Sequence, residues 1–186
     1  MTIPNILTLI RIALIPAFVV CFYLPWQWHY LASAAIFALA GFTDWLDGFV
    51  ARRLGQTSPL GAFLDPVADK LMVAVALVLL VERHASPWLA VPAFVIISRE
   101  ITISALREWM AELGNRAAVK VSVIGKIKTA CQMLAIVVLL ANPPGWDNPW
   151  VRLGHVLLDV AVVFTLWSMV IYLRAAWPTL RANAGK

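Results

Sequence analysis

At 186 residues the chain has the length of about one domain. With 62% hydrophobic and 13% charged residues it is too apolar for an ordinary soluble domain, and its composition points to a bilayer as the solvent. The net charge of +5 sits in lysines and arginines close to apolar stretches, and nothing resembles an RNA- or DNA-binding module; attraction to anionic lipid or to a phosphorylated substrate accounts for it.

Six apolar stretches, approximately residues 7–24, 30–52, 60–81, 87–108, 121–141 and 153–176, are long enough to cross a bilayer. They are continuous rather than alternating, which argues against a β-barrel. The first is read as a retained helix rather than a cleaved signal peptide, because Arg11 falls inside its apolar run and no small-residue cleavage site follows. Breaks are expected at Pro25 to Trp28, Arg52 to Pro59, Glu82 to Pro87 and Asn142 to Pro149, where prolines and glycines interrupt the pattern. Cys21 and Cys131 lie inside apolar runs and are read as packing residues with no disulfide. His29, His84 and His155 are far apart in sequence and are given no ligand role.

Lysine and arginine set the orientation. Arg52 and Arg53 mark the second connection; Arg107, Arg116, Lys120, Lys126 and Lys128 surround the fourth; Arg174, Arg181 and Lys186 lie at the C-terminal end. The alternate connections hold only Arg83 and Arg152, while Trp26, Trp28, Trp88, Trp146 and Trp150 gather on that side as an interfacial belt. The expected fold is an all-α integral membrane protein with six transmembrane helices and both termini cytoplasmic. A single domain covers residues 1–186.

Acidic residues in such helices are expensive and mark function by default. The second stretch ends Asp44-Trp45-Leu46-Asp47-Gly48-Phe49-Val50-Ala51-Arg52, and eight residues later the third begins Gly61-Ala62-Phe63-Leu64-Asp65-Pro66-Val67-Ala68-Asp69. On helices, Asp44 and Asp47 (i, i+3) share one face, as do Asp65 and Asp69 (i, i+4). A short connection makes the two helices antiparallel neighbours, able to bring the pairs face to face. Four carboxylates together repel unless divalent cations sit among them, and an oxygen-rich set suits Mg²⁺ or Mn²⁺. Two such ions would polarise a diphosphate. Gly48 and Gly61 allow close approach of backbone to a ligand, and Arg52 offers a planar fork for phosphate. Thr57 and Ser58 either cap the third helix or hydrogen-bond a nucleotide.

The pattern Asp-x-x-Asp-Gly-x-x-Ala-Arg, eight residues, Gly-x-x-x-Asp-x-x-x-Asp resembles the signature of the CDP-alcohol phosphatidyltransferases, with every signature position filled. That resemblance implies six membrane helices, a homodimer, two divalent ions, and transfer of a phosphatidyl group from a CDP-linked lipid to an alcohol with release of CMP. By position it implies that Asp44, Asp47, Asp65 and Asp69 hold the metals. It makes Asp69 also the general base for the acceptor hydroxyl. It puts Gly48, Arg52 and Ser58 on the cytidine diphosphate portion of the CDP-diacylglycerol, with Gly61 close by. Asn5 and Thr8 are candidates for lining the same nucleotide site or for capping the first helix. Arg11 either serves the site or snorkels to the surface.

The signature does not choose the alcohol. Arg99 and Glu100 sit well inside an apolar run, and Arg99 and Arg107 share roughly one face of the fourth helix. With Lys126 they suggest a cationic pocket for an acceptor that carries its own phosphate, and glycerol 3-phosphate fits. Lys120 and Lys128 read at least as well as topology charges. The segments Ser98 to Met110, Gly125 to Thr129 and Pro4 to Arg11 resemble bacterial members of the family that use glycerol 3-phosphate, which implies a bacterial cytoplasmic membrane. Inositol phosphate, serine or phosphatidylglycerol are alternative acceptors. A divalent-cation transporter is the reading from another class, and a structural membrane scaffold is a third.

Overall fold

The computed structural model describes residues 3–54, 59–112 and 123–183, with side chains at all of these except 3–7, 45–54, 59–63, 65, 123–126, 178–180 and 182–183. Six helices follow one another: α1 Ile3–Tyr23, α2 His29–Leu54, α3 Pro59–His84, α4 Pro87–Glu112, α5 Val123–Leu140 and α6 Pro149–Asn183. They stand where the six apolar stretches predicted them, with α6 running several residues further at both ends. Two are long and apolar enough to cross a membrane among the described residues, α4 and the Pro149–Trp177 stretch of α6.

Local chemistry explains the helix starts. Pro59, Pro87 and Pro149 open α3, α4 and α6, a position where a missing N–H is harmless and the fixed φ suits a helix. Ser86 caps α4, its Oγ accepting from the Trp88 N–H at 3.3 Å. Asn148 caps α6, its Oδ1 accepting from the Trp150 N–H at 2.9 Å, and its own amide donates to Asn142 Oδ1 at 3.1 Å. The predicted break at Pro149 is therefore one residue inside the helix. Between α3 and α4 the chain turns through Ala85, at φ 46°, which closes α3 with an N–H to the Val81 carbonyl at 2.9 Å.

α1 packs along both α2 and α3, α5 packs along α6 and α2, and α4 along α3 and α6. α2 and α3 touch along a shorter seam than either makes with α1 among the described residues, so α1 is a wedge between the two motif-bearing helices. The apolar core collects at one end of the bundle, where α1, α3 and α5 finish and α2, α4 and α6 begin. Phe18, Phe22, Phe37, Leu77, Leu80 and Leu139 belong to it. Phe18 meets Phe22 and Phe37 with ring centroids 6.4 and 6.3 Å apart. Buried Arg99 and Lys128 lie toward the other end. Cys21 is buried and Cys131 half-buried, and both are free thiols, as expected of cysteines without a disulfide.

The core end is closed by polar and aromatic contacts. Arg83 donates to the Phe22 carbonyl at 2.8 Å, contacts His29 Nε2 at 3.0 Å and lies 4.0 Å from the Phe22 ring centroid, tying α3 to α1 and α2. Tyr23 hydroxyl donates to Glu82. The histidines that are distant in sequence partly converge: the His84 and His155 rings meet at 5.6 Å, and Trp146 stacks on His155 at 4.5 Å. The five tryptophans of the expected belt are exposed at this end.

Two glycines mark close helix approaches, and they differ in what surrounds them. A Cβ at Gly154 would stand 2.7 Å from Leu139 Cγ and 2.8 Å from its Cδ2, and Leu139 is a buried, branched side chain of the core. At Gly41 the obstruction is the terminal methyl of Met133 at 2.5 Å, the free end of an unbranched chain. Gly154→Ala is expected to lower stability by about 1–3 kcal/mol through overpacking. Gly41→Ala is expected to stay within about 1 kcal/mol of the parent, because improved helix propensity offsets the displaced methyl. Thermal unfolding of both variants in detergent checks the order.

Candidate active site

The α1 wedge delivers the first polar contact. Arg11 is buried to 1% exposure, and its Nη1 donates to Asp44 Oδ1 on α2 at 2.8 Å. The arginine that sequence leaves between two roles thus points inward, and its charge is met by a carboxylate of the central motif. Thr8, one turn earlier and so on the same face, is fully buried. On α3, Asp69 is exposed. It is close enough to Asp44 for the two carboxylates to act on one another electrostatically, with Arg11, Lys70 and Glu100 also in range. Asp44 and Asp69, from the motif's two halves, thus stand on helices that touch one another.

Asp69 opens on a cavity of about 90 Å³ lined by Lys70, Val73, Glu100, Lys128, Gln132 and Met133 among others, at the junction of α3, α4 and α5. Glu100 organises its polar wall. The Oε1 atom accepts from Arg99 Nη1 at 2.9 Å and from Lys128 Nζ at 2.5 Å. Lys128, readable from sequence as a topology charge, is 4% exposed and part of this network. Burying its ammonium demands the countercharge that Glu100 supplies. An apolar groove of about 170 Å³ between α3 and α4, lined by Leu71, Ala74, Ile96, Ile97 and Ile101, shares Lys70, Val73 and Glu100 with the polar cavity.

α6 supports the arginines of α4. Arg99 Nη2 donates to Ser168 Oγ at 3.0 Å, and Ser168 in turn donates to the Thr165 carbonyl at 2.9 Å. Arg107 Nη2 donates to Tyr172 Oη at 3.2 Å. Both guanidinium groups also lie against the Tyr172 ring, at 5.6 and 5.2 Å from its centroid. Ser168 and Tyr172 are four residues apart and share a face of α6. Arg99 is buried, whereas Arg107 is exposed.

The structure thus brings Asp44, Asp69, Thr8, Arg99 and Arg107 to the end of the bundle away from the core. The side chains of Asn5, Asp47, Gly48, Arg52, Gly61, Asp65 and Lys126 lie outside the described residues, as do Thr57 and Ser58 altogether. Among the described residues no three acidic, histidine or cysteine side chains form a metal-sized group. Sequence reasoning left Lys128 between a contact and a topology charge, and passed over Gln132, Ser168 and Tyr172 as members of the site. The available signal was a polar residue within an apolar run, repeated at i, i+4 on α5 (Lys128, Gln132) and on α6 (Ser168, Tyr172).

The Arg11–Asp44 pair generates a stability prediction. Replacing Arg11 by Met leaves Asp44 without this partner, but Asp44 keeps 45% of its side chain open, so solvent screens part of the loss. A decrease of about 1–3 kcal/mol is expected for Arg11→Met, and a smaller one for Arg11→Lys, which retains the charge without the planar fork. Chemical or thermal unfolding in detergent measures both.

Comparison with known proteins bears on the family of the chain. Residues 1–167 match the family model described as CDP-alcohol phosphatidyltransferase. A Pseudomonas fluorescens protein named CDP-diacylglycerol–glycerol-3-phosphate 3-phosphatidyltransferase is 59% identical over 187 aligned residues, covering 100% of this chain and 95% of that protein. Proteins of the same name from Salmonella typhimurium (strain LT2) and Shigella flexneri are each 57% identical over 175 residues, with 94% of both chains covered. With a family match over most of its length and relatives this similar end to end, the chain belongs to the CDP-alcohol phosphatidyltransferase family.

Proposed function

We propose that the chain transfers the phosphatidyl group of CDP-diacylglycerol to sn-glycerol 3-phosphate, yielding phosphatidylglycerophosphate and CMP in phospholipid biosynthesis. The observation that carries this reading is the placement of Asp69 on a polar cavity that shares a wall with an apolar groove. A reaction joining a lipid-linked phosphate to a water-soluble alcohol needs both environments at one base. The names of the full-length relatives supply the two substrates.

Asp69 accepts the proton of the glycerol 1-hydroxyl, for which a base within hydrogen-bond reach is required. The freed oxygen forms a bond to the phosphorus that carries diacylglycerol, the bond from that phosphorus to the cytidine monophosphate oxygen breaks, and CMP leaves as an anion. Asp44 and Asp69 are hard oxygen donors on touching helices, a donor set that fits Mg²⁺ or Mn²⁺. With Asp47 and Asp65 they would hold two such ions, which when bound neutralise the diphosphate and the departing charge. Gly48, Arg52, Ser58, Gly61, Asn5 and Thr8 serve CDP-diacylglycerol, and Arg99, Arg107 and Lys126 the acceptor's phosphate. Arg11 holds Asp44 in place, and Ser168 and Tyr172 hold the two arginines.

The chain is one membrane domain over residues 1–186. Six helices cross a bacterial cytoplasmic membrane, with both termini and the reacting groups at the cytoplasmic side. Lysine and arginine distribution supports that orientation, and the exposed tryptophans at the other end fit the outer interface. A homodimer in contact with membrane lipid is the assembly implied by the family.

Purified protein incubated with labelled glycerol 3-phosphate, CDP-diacylglycerol and Mg²⁺ or Mn²⁺ is expected to form labelled phosphatidylglycerophosphate and one CMP per product. Chelation should abolish turnover and either ion restore it. Asp69→Asn is expected to lower kcat by about 10³-fold or more while the protein still unfolds at an ordinary temperature. CMP release with serine or inositol phosphate alone would reassign the acceptor; metal uptake into vesicles without CMP would favour transport.

A second prediction concerns the acceptor. Arg107→Ala should raise the KM for glycerol 3-phosphate by about tenfold or more, the worth of a charge-assisted bond. Tyr172→Phe keeps the ring beneath Arg107 but removes the hydroxyl, and a rise of about two- to fivefold is expected. Initial-rate kinetics at saturating CDP-diacylglycerol separates the two.

A further inference from the structure

Gln132 lies on α5, one helical turn beyond Lys128 and on the same face. It is 4% exposed, and its Oε1 has no hydrogen-bond partner. That atom belongs to a side chain lining the cavity onto which Asp69 opens. A polar atom buried without a partner is destabilising, and persists in native proteins chiefly where a ligand or water completes it. The neighbouring polar wall is already engaged, with Glu100 Oε1 occupied by Arg99 and Lys128. The cavity, at about 90 Å³, exceeds the roughly 10–15 Å³ that a single water needs and suits a body the size of a small polyol.

We infer that Gln132 is a specificity-determining residue, whose side-chain amide hydrogen-bonds the secondary hydroxyl of the acceptor polyol. This rests on the reading above, in which the acceptor is glycerol 3-phosphate and Asp69 receives the proton of its 1-hydroxyl. Asp69 and Gln132, lining one cavity, then read two adjacent hydroxyls. Asp69 takes the one that reacts. Gln132 fixes the secondary one beside it, and so keeps the primary hydroxyl, rather than the secondary, facing the phosphorus. A site built to bond a hydroxyl rejects an analogue without it far more strongly than an apolar pocket rejects a missing methylene, because the protein atom is left unpaired.

The test compares two acceptors, glycerol 3-phosphate and 3-hydroxypropyl phosphate, which lacks only the secondary hydroxyl. The wild type is expected to prefer the former in kcat/KM by about 30-fold or more. Gln132→Met, similar in size but without the amide, should lose that preference to within about threefold, through glycerol 3-phosphate alone and with the KM for CDP-diacylglycerol unchanged. Its unfolding temperature should not fall, since removing an unsatisfied buried polar atom is neutral or stabilising. Gln132→Leu is the second variant should Met pack poorly. Equal use of both acceptors by the wild type, or an undiminished preference in the variants, overturns the role of Gln132. Failure of the wild type to use glycerol 3-phosphate while it turns over another alcohol overturns the acceptor reading instead.

Discussion

Charge placed among apolar helices must be answered within the bundle, and the contact between Arg11 and Asp44 is where this chain does so first. The arginine is almost wholly covered while the carboxylate stays half open. This asymmetry matters: the guanidinium is spent on structure, whereas the carboxylate keeps one side for something else. Glu100 repeats the arrangement across α4 and α5, where one oxygen accepts from both Arg99 and Lys128. The three buried cations thus meet two acids that reach the rim of the site, Glu100 serving both Arg99 and Lys128. Deleting either acid would strand buried positive charge, and that is more costly than never having had the pair.

The division of the bundle into an apolar end and a charged end makes this possible. Phenylalanines and leucines interlock where the helices turn through short connections, and Arg83 and the Ser86 and Asn148 caps close that end. With one end fixed, helices α1 to α3 can be held around acidic groups that gain nothing from packing. α6 plays the corresponding part for α4, offering a hydroxyl to each of two arginines and one aromatic face to both.

Much of this was legible in the chain itself. Hydropathy located all six helices, because an apolar run and a proline are local signals that need no tertiary information. The acidic spacing identified the family, since i, i+3 and i, i+4 place side chains on one face whatever surrounds them. What remained hidden depends on which helix faces which. Lys128 looks like any cytoplasmic lysine until α5 turns it toward Glu100, and Ser168 and Tyr172 look like ordinary residues of an apolar helix until α4 brings arginines to them. The direction of Arg11 likewise follows from the wedge position of α1, a relation between elements that no single segment encodes.

Lys70, Val73 and Glu100 stand on two surfaces at once, facing the polar chamber on one side and the greasy furrow between α3 and α4 on the other. Such a partition gives one molecule two exits of opposite character. A product with acyl tails can slide laterally into hydrocarbon without ever being hydrated, while a nucleotide by-product is left to depart through water. Separation of products would then follow from the shape of the site and need no moving part.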